Sequence, residues 1–362
     1  MTLSTRKWLL LSLAFSAIVL FIVVFSTIDE HTFLYVQQIN IWFLVAALGL
    51  RLLSFGLWAL RIQLMARSLG YNVGFLHCYN MVMANLLLGA ITPGQAGGEP
   101  IRVYELYKAD VPAGDATAIV VLERVFDAII LVVLGVISLI FMLDVIRMIS
   151  AAVLSFMVLS MILMIFALCI LIYGFCRPEP AKKIIMKVLL WVSRKVKRPL
   201  AGKLFCLIDA ECDNFFKTTL AFSKASRSGL YSGIACSVGF WVSEFIVASV
   251  ILMGLGLVPH IFESLLFQIA IAIINMVPLT PGASGIAEIS ATSLYAFIVP
   301  TSILGVFILL WRLIMFYFNV LLGFIGSLVI FRREVSTSGG KTQSMLDSLD
   351  NKAKEPYMME KE

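Results

Sequence analysis

The residues most able to do chemistry in this chain are six charged side chains that lie inside long apolar runs: Arg51, Glu123, Arg124, Asp127, Glu244 and Arg312. An ionised side chain at bilayer depth costs from about 2.5 kcal/mol upward, so it persists mainly where it faces a cavity or a partner. At about 100° per residue, Glu123, Arg124 and Asp127 share one face of a helix. The pattern predicts a polar stripe at membrane depth that could bind a charged ligand.

Two copies of a Thr-Pro-Gly turn motif supply the second group of candidates. The first reads TPGQAGGE from Thr92 to Glu99, and the second reads TPGASGIAE from Thr280 to Glu288. Proline restricts the residue before it and glycine permits a reversal, so the motif predicts the end of a helix and a turn. The candidate site residues of these turns and of the helices after them are Thr92, Pro93, Gly94, Gly97, Gly98, Glu99, Arg102, Thr280, Pro281, Gly282, Gly285 and Glu288.

A short apolar run precedes each turn, and it has the same length in both copies: Tyr79 to Ile91 in the first and Leu265 to Val277 in the second. A run of this length gives about 20 Å of helix, which is too short to cross the hydrocarbon core. A second short helical run follows each turn, so we predict two re-entrant hairpins. The N–H groups at the starts of the returning helices would favour an anion, and Glu99 and Ser284 are expected to cap these helices.

The spacing from turn to charge also repeats. Arg124 follows Thr92 at the same interval along the chain at which Arg312 follows Thr280. The two arginines are therefore predicted to be equivalent halves of one phosphate-binding device, because the planar guanidinium fork pairs with two phosphate oxygens. The hairpin glutamates fit this register less closely, since Glu288 comes one position later after its threonine than Glu99 does.

Purely structural roles for these charges remain open. Arg124 and Asp127 could neutralise each other at positions i and i+3, and Arg51 and Glu244 could form an interhelical salt bridge instead of contacting a ligand. Arg312 has no acid within four residues on its own helix. Its partner is therefore expected to be Glu244 or a ligand phosphate.

The composition excludes a water-soluble globule. Of the 362 residues, 14% are charged and 60% are apolar, whereas about 25% charged residues are usual in soluble domains. Six apolar runs reach the length of a membrane span: Trp8 to Ile28, Ile41 to Leu60, Ala116 to Leu143, Ala151 to Phe175, Leu230 to Val258 and Ile303 to Phe331. We predict an all-α membrane protein with six full transmembrane helices plus two re-entrant helical hairpins.

The basic residues predict the orientation of these spans. Between Arg177 and Lys203 there are nine basic residues and one acid, and the positive-inside rule places this segment and both termini in the cytoplasm. No aromatic residues interleave with the basic ones as a nucleic-acid surface would require. In this orientation the second half of the chain lies upside down relative to the first, which is the inverted-topology repeat of many transporters.

The chain then divides into a polytopic membrane domain, 1–333, and a polar tail, 334–362, that is expected to be disordered. Repeat one covers about 41–143, a cytoplasmic basic loop and an amphipathic helix cover about 177–229, and repeat two covers about 230–331. The cysteines and histidines show neither C-x-x-C spacing nor clustering. We therefore expect no metal site, no disulfide framework and no cofactor.

Four segments together resemble the lysylphosphatidylglycerol synthase transmembrane-region family, also called flippase-like domain proteins: TPGQAGGEPIR from Thr92 to Arg102, ERVFD from Glu123 to Asp127, PLTPGASGIAE from Pro278 to Glu288, and Trp311-Arg312. The resemblance covers roughly residues 8 to 331 and implies a lipid flippase. In bifunctional members a separate soluble domain makes the aminoacyl lipid; only a short tail follows Phe331, so enzyme activity is not expected. The second turn has Ala283 and Ser284 where the family pattern more often has glycine.

We expect an integral-membrane lipid transporter that moves a phospholipid or a polyprenyl-phosphate-linked lipid across the cell membrane. Arg124 and Arg312 would hold phosphate, and Glu99 and Glu288 would bind cationic headgroup moieties or carry protons. Two other classes stay open: a membrane-embedded transferase that uses a polyprenyl-phosphate sugar donor, and a proton-coupled carrier for a small solute. Membrane lipids are the expected partners, with a second copy of the chain and a separate lipid-modifying enzyme as further candidates.

Overall fold

The fold is given by a computed structural model. It describes residues 18, 21–23, 25–27, 30–92, 97–141, 151–195, 211–220, 222, 227–276, 280 and 282–333, and within them the regular secondary structure is all helical. Most of the first predicted span, Trp8 to Ile28, lies outside the described residues, as does the whole tail, 334–362.

The helices follow one another along the chain with short connections. They are α1 (Glu30–Gln37), α2 (Ile41–Ser68), α3 (Phe75–Ile91), α4 (Gly98–Lys108), α5 (Ala113–Phe141), α6 (Ala151–Cys176), α7 (Pro178–Lys195), α8 (Arg227–Gly254), α9 (Ile261–Asn275), α10 (Ile286–Tyr295) and α11 (Thr301–Arg312). After α11 the chain passes through a π-helical turn, Leu313–Tyr317, and continues as helix to Arg333. Residues 211–220 are also helical.

Five of these helices are long and apolar enough to cross a membrane: Ile41–Ser68, Ala113–Phe141, Val153–Cys176, Ser228–Gly254 and Thr301–Arg333. They correspond to the second to sixth predicted spans. The largest difference is in α2, which was predicted to end at Leu60 and instead ends at Ser68. Its last two turns carry polar residues, so a count of apolar residues stops too early.

A short helix, a turn and a second short helix surround each copy of the turn motif. α3 has 17 residues and α9 has 15, which gives about 25 Å and about 22 Å of helix, still less than the roughly 30 Å hydrocarbon core. α4 and α10, with 11 and 10 residues, follow the turns. Pro93, Gly94 and Pro281 lie outside the described residues, so the predictions about them are not tested.

The duplication extends beyond the turns. α2 and α8 each have 28 residues, and each is followed by a Leu-Gly pair whose glycine, Gly70 or Gly256, adopts a left-handed φ of 92° or 72°. Glycine takes this conformation without the penalty of a Cβ, and it is a common way to end a helix. The next helix starts at the same interval after this glycine in both halves, at Phe75 and Ile261.

α2 and α8 form the most extensive helix pair and run antiparallel. The N–H of Asn40, which caps the start of α2, donates to the carbonyl of Gly254 at the end of α8 over 2.8 Å. At the opposite end of the pair, a Cβ on Gly229 would overlap the side chain of Ser68. The first long helices of the two repeats therefore lie side by side in opposite directions.

Each repeat also packs its first short helix against the last long helix of the other repeat. A Cβ on Gly135 of α5 would lie 2.5 Å from Ile273 Cδ1 of α9, and one on Gly323 of the last helix would lie 2.5 Å from the backbone nitrogen of Leu87 of α3. Gly323 follows Gly135 at almost the same interval along the chain at which Ile273 follows Leu87. These crossed contacts are therefore equivalent, and they hold the two halves together.

The outer surface is apolar. α6 exposes large side chains such as Ile162 and Phe166, and the last helix exposes Leu321 and Phe331. A contiguous exposed apolar surface of this size is stable only in contact with hydrocarbon. The protein is thus a multi-pass membrane protein.

The basic segment differs from its prediction as a loop, because its first part forms helix α7, which starts one residue after Arg177. Lysines alternate there with apolar residues such as Ile184 and Ile185 at helical spacing. Lys182 Nζ donates to Asp213 Oδ1 over 2.6 Å and so joins α7 to residues 211–220. Residues 211–220 lie within the segment that was predicted as an amphipathic helix, and they are helical.

The crossed contacts predict unequal costs for adding a methyl group. Gly323→Ala should destabilise the protein by about 1–3 kcal/mol, because the new Cβ meets the backbone of α3, whereas at Gly135 it meets only the end of a flexible side chain. Gly49→Ala is the control, since nothing lies within 4 Å of a Cβ there. Thermal unfolding in detergent should rank Gly323→Ala lowest and Gly49→Ala at or above the unmodified protein. Equal melting temperatures would contradict the packing.

Candidate functional site

A cavity of about 340 Å³ lies between the two repeats and is lined by residues of α2, α3, α4, α5, α8, α9, the second turn and the last helix, Thr301–Arg333. Seven charged residues line it: Arg51, Arg61, Glu99, Arg124, Asp127, Glu244 and Arg312. Of these, all but Arg61 were predicted as site residues or as charge partners. The structure therefore places these six charged residues, from both repeats, around one cavity, whereas Arg102, Glu123 and Glu288 do not line it.

Arg61 of α2 is the centre of the ionic network in repeat one. Its Nε donates to Glu123 Oε1 over 2.7 Å, and its Nη1 donates to Asp127 Oδ1 over 2.7 Å. Arg102 of α4 donates to the other oxygen of Glu123 over 2.5 Å, and Trp241 Nε1 donates to Asp127 over 3.1 Å. Each acid of the predicted polar stripe is thus held by an arginine from another helix.

Sequence reasoning missed Arg61 because the predicted span ended at Leu60, one residue earlier. A signal was present in the residues Arg51, Ser54, Trp58 and Arg61, which lie at i, i+3, i+7 and i+10 and so on one face of a helix. The structure buries Arg61 almost completely, with 1% of its surface exposed. A buried arginine of this kind requires acidic partners.

The ring of Trp58 lies among three guanidinium groups. Its centroid is 5.2 Å from the guanidinium carbon of Arg102, 5.8 Å from that of Arg124 and 6.0 Å from that of Arg61. An aromatic face attracts cations within about 6 Å, so this ring helps to keep three like charges close together.

Glu99 and Arg124 form an ion pair at the cavity, with Oε1 and Nε 2.8 Å apart. Their side chains are 39% and 30% exposed. Arg124 Nη1 also lies 3.8 Å from Asp127 Oδ2, so the predicted i, i+3 neutralisation is present as a longer contact. The predicted capping role of Glu99 is wrong, because Gly97 is the N-cap and Glu99 lies in the first turn of α4.

Arg312 pairs with the glutamate of its own repeat. Its Nε donates to Glu288 Oε1 over 2.8 Å, and its Nη2 donates to the carbonyl of Gly282 over 3.2 Å. The prediction that Glu244 could be its partner is wrong, because the second turn folds Glu288 back over the last helix. Ser284 does not cap α10; Gly285 is the N-cap, and its N–H donates to Glu288 Oε2 over 2.7 Å.

The two halves therefore contain the same device, in which the glutamate after the turn pairs with the arginine of the last long helix. The small difference in the glutamate spacing does not prevent this. The pairs differ in access, because Glu288 and Arg312 have side chains only 0% and 5% exposed. The pair of repeat one is open to the cavity, and the pair of repeat two is closed.

Arg51 and Glu244 form an interhelical ion pair, which is one of the two roles that the sequence left open. Ser54 Oγ donates to Glu244 over 2.6 Å, and Arg51 Nε donates to Asn319 Oδ1 over 3.2 Å. The pair joins α2, α8 and the last helix. It therefore links the two repeats across the cavity.

The threonines of the motif fix the turns. Thr92 Oγ1 donates to the carbonyl of Leu88 over 2.9 Å and accepts from the N–H of Gly97 over 2.9 Å. Thr280 Oγ1 donates to the carbonyl of Ser284 over 2.9 Å. Gly97 allows this close approach, since a Cβ there would lie 2.5 Å from Thr92 Cγ2. A Cβ on Gly98 would likewise overlap Asn85.

The second turn contains a left-handed alanine. Gly282 and Gly285 have φ values of 59° and 85°, and Ala283 between them has a φ of 52°. This conformation costs an L-residue about 1–2 kcal/mol. The departure from glycine that was noted in the sequence thus falls on a strained position at the cavity wall.

In charge, the network is balanced. It contains five arginines, Arg51, Arg61, Arg102, Arg124 and Arg312, and five acids, Glu99, Glu123, Asp127, Glu244 and Glu288. Among the described residues, no group of three histidines, cysteines or acids is arranged to hold a metal ion. The site is suited to binding a charged group that takes the place of one member of an ion pair.

The fold and the site together define a class of protein. It is a multi-pass helical membrane protein with an ion-paired cavity between two related halves. The chain belongs to the lysylphosphatidylglycerol synthase transmembrane-region family, whose model matches residues 9–323.

Three archaeal relatives are similar over most of their length, and each is named a UPF0104 membrane protein. The protein of Archaeoglobus fulgidus is 32% identical over 300 residues, covering 82% of this chain and 89% of the relative. The protein of Pyrococcus horikoshii is 25% identical (85% and 92% covered), and that of Methanocaldococcus jannaschii is 24% identical (83% and 88%). No solved structure matches the chain.

Removal of the Arg61 charge should destabilise the fold. Arg61→Met leaves Glu123 and Asp127 without their shared cation, and breaking a buried ion pair costs about 3–5 kcal/mol. Arg67→Met, on an exposed position of the same helix, is the matched control and should change stability by less than about 0.5 kcal/mol. Thermal unfolding in detergent measures both. A melting temperature of Arg61→Met equal to that of the control would contradict the network.

Replacement of the strained Ala283 should raise stability rather than lower it. Ala283→Gly should raise the free energy of unfolding by about 1 kcal/mol, because glycine adopts φ of 52° without the Cβ penalty. Ala287→Gly, in helix α10, should lower it by about 0.5–1 kcal/mol. Chemical denaturation in mixed micelles would compare them, and a loss of stability for Ala283→Gly would show that the turn is not strained.

Proposed function

We propose that this chain is a lipid translocase of the cell membrane, which moves a phospholipid or a polyprenyl-phosphate-linked lipid between leaflets. The headgroup passes through the cavity while the tails stay in the bilayer. The observation that carries the proposal is the cavity itself, which has four arginines in its wall, all on helices long and apolar enough to cross a membrane. Arginine remains charged at any physiological pH and pairs with two phosphate oxygens at once.

The proposal includes an inverted-topology repeat with six spans and two re-entrant hairpins. The antiparallel pairing of α2 and α8 supports it, because equivalent helices of an inverted repeat run in opposite directions. The equivalent crossed contacts at Gly135 and Gly323 support it as well. The basic residues of α7 favour a cytoplasmic position for that helix and for both termini.

The unequal access of the two Glu–Arg pairs suggests how the cycle proceeds. The pair of Glu99 and Arg124 is open, and the pair of Glu288 and Arg312 is closed. In an inverted repeat, exchange of the two halves' conformations turns a cavity from one side of the membrane to the other. Each arginine would then meet the headgroup in a different state of the cycle.

The pairing of the acids in the network favours a role in binding over a role in catalysis. All five are engaged by arginines, and an acid held in this way is a poor general base. We therefore propose a transporter and not a transferase, with membrane lipids as its ligands. A second copy of the chain and a separate lipid-modifying enzyme are proposed partners.

Transport in liposomes tests the proposal. Arg124→Ala should lower the movement of labelled phosphatidylglycerol, phosphatidylethanolamine or polyprenyl phosphate at least about tenfold, because a charge-assisted hydrogen bond contributes about 1.5–3 kcal/mol. Arg124→Lys should retain part of the rate, since lysine keeps the charge but not the fork. Arg312 is less suitable for this test, because its removal leaves Glu288 buried without a cation.

Arg67→Ala is the matched control, and thermal unfolding shows whether each variant is folded. The proposal predicts movement of at least one lipid of the panel by the unmodified protein and by the control. If a folded Arg124→Ala variant moves that lipid at the unmodified rate, or if no lipid is moved by the unmodified protein, the proposed function is wrong.

A further inference from the structure

We infer that a headgroup phosphate enters the site by displacing Glu99 from Arg124, and that Glu99 takes up one proton as it is displaced, so that transport is coupled to protons. The inference rests on the proposed function and specifies it. It names the ligand as a phosphate monoanion and the coupling ion as the proton.

The charge balance of the network explains why a proton is taken up when the phosphate binds. Its five arginines and five acids sum to zero when all are ionised. A phosphodiester headgroup would bring one uncompensated negative charge into a site of low dielectric, where such a charge is strongly penalised. Uptake of one proton restores neutrality, because one positive and one negative charge enter together.

The acids of the network differ in how many donors hold them and in how exposed they are, and these differences indicate which acid is displaced from its arginine. Four acids have two or more donors from outside their own side chain: Glu123 from Arg61 and Arg102, Asp127 from Arg61 and Trp241, Glu244 from Arg51 and Ser54, and Glu288 from Arg312 and Gly285. Glu99 is held through Arg124. At 39%, its side chain is also far more exposed than those of the four other acids, which are at most 9% exposed. It is therefore the easiest to displace.

The geometry of Arg124 fits the incoming group. Its Nε lies 2.8 Å from Glu99 Oε1, and its side chain is 30% exposed at the cavity. When Glu99 leaves, the Nε edge of the guanidinium can pair with two phosphate oxygens in place of one carboxylate. The proton comes from the bulk solution and stays on the Glu99 carboxyl beside the bound phosphate, so the charges of the site still sum to zero.

Charged groups on several elements line the cavity together with Glu99: Arg51 and Arg61 on α2, Arg124 and Asp127 on α5, Glu244 on α8, and Arg312 on α11. Arg102 lies on the same helix as Glu99 and interacts with it electrostatically. Among the described residues that line the cavity there is no histidine. The carboxylates are therefore the candidate proton acceptors of the cavity wall, and Glu99 is the least firmly held of them.

Proton uptake on binding tests the inference directly. Dihexanoyl phosphatidylglycerol is a suitable probe, because its phosphodiester stays monoanionic and every linked proton belongs to the protein. Titration calorimetry of the purified full chain, in buffers that differ in ionisation enthalpy, measures the protons taken up per lipid bound. We expect about one for the unmodified protein, with tighter binding as the pH falls, because the complex holds more protons than the free protein.

The variant Glu99→Gln should bind the probe with no proton uptake, since its amide cannot titrate. Glu263→Gln, which changes an acid of α9 that is 48% exposed and does not line the cavity, should still take up about one proton. Binding without proton uptake by the unmodified protein, or equal uptake by Glu99→Gln, would overturn the inference while leaving the proposed function intact. Absence of both binding and lipid movement would remove the proposed function and the inference together.

Discussion

The cost of placing ionised side chains at membrane depth is the constraint on which the rest of this structure depends. Ten charges lie in or beside the cavity, and a charge in hydrocarbon persists only with a partner. The fold meets this requirement by pairing them across helices, so that Arg61 of α2 joins two acids of α5 and Arg51 of α2 joins Glu244 of α8. α2 is therefore central to the site as well as to the helix packing.

The same pairing explains why the two halves depend on each other. The pair of Arg51 and Glu244 connects one repeat to the other, and the close contacts at Gly135 and Gly323 place each short apolar helix against the other half. A separated half would expose both a charge and a packing surface. The cavity between them is consequently a property of the assembled pair.

Much of this arrangement could be predicted from the sequence, and the failures have physical causes. The equal spacing of Thr92 to Arg124 and of Thr280 to Arg312 predicted a duplication, because equal register in two segments is a local property of the chain. In both halves the arginine at this spacing pairs with the glutamate after the turn. The partner of Arg312 could not be predicted, since it depends on how the second turn folds back. Arg61 was missed because apolar counting ends a span at the first polar residues, although a helix can continue through them when they are paired inside the protein.

The two halves differ in how firmly each holds its glutamate–arginine pair. In the second turn, Ala283 holds a strained φ of 52°, and Gly282 and Ser284 both accept from Arg312 Nη2. These contacts add to the bond with Glu288, so the closed pair is held by several groups at once. The pair in repeat one has fewer such contacts and a larger exposed surface. One glutamate–arginine pair is therefore held firmly and the other loosely, so the loosely held pair is the preferred place for exchanging an ion partner. A coupled binding step requires such a preferred place.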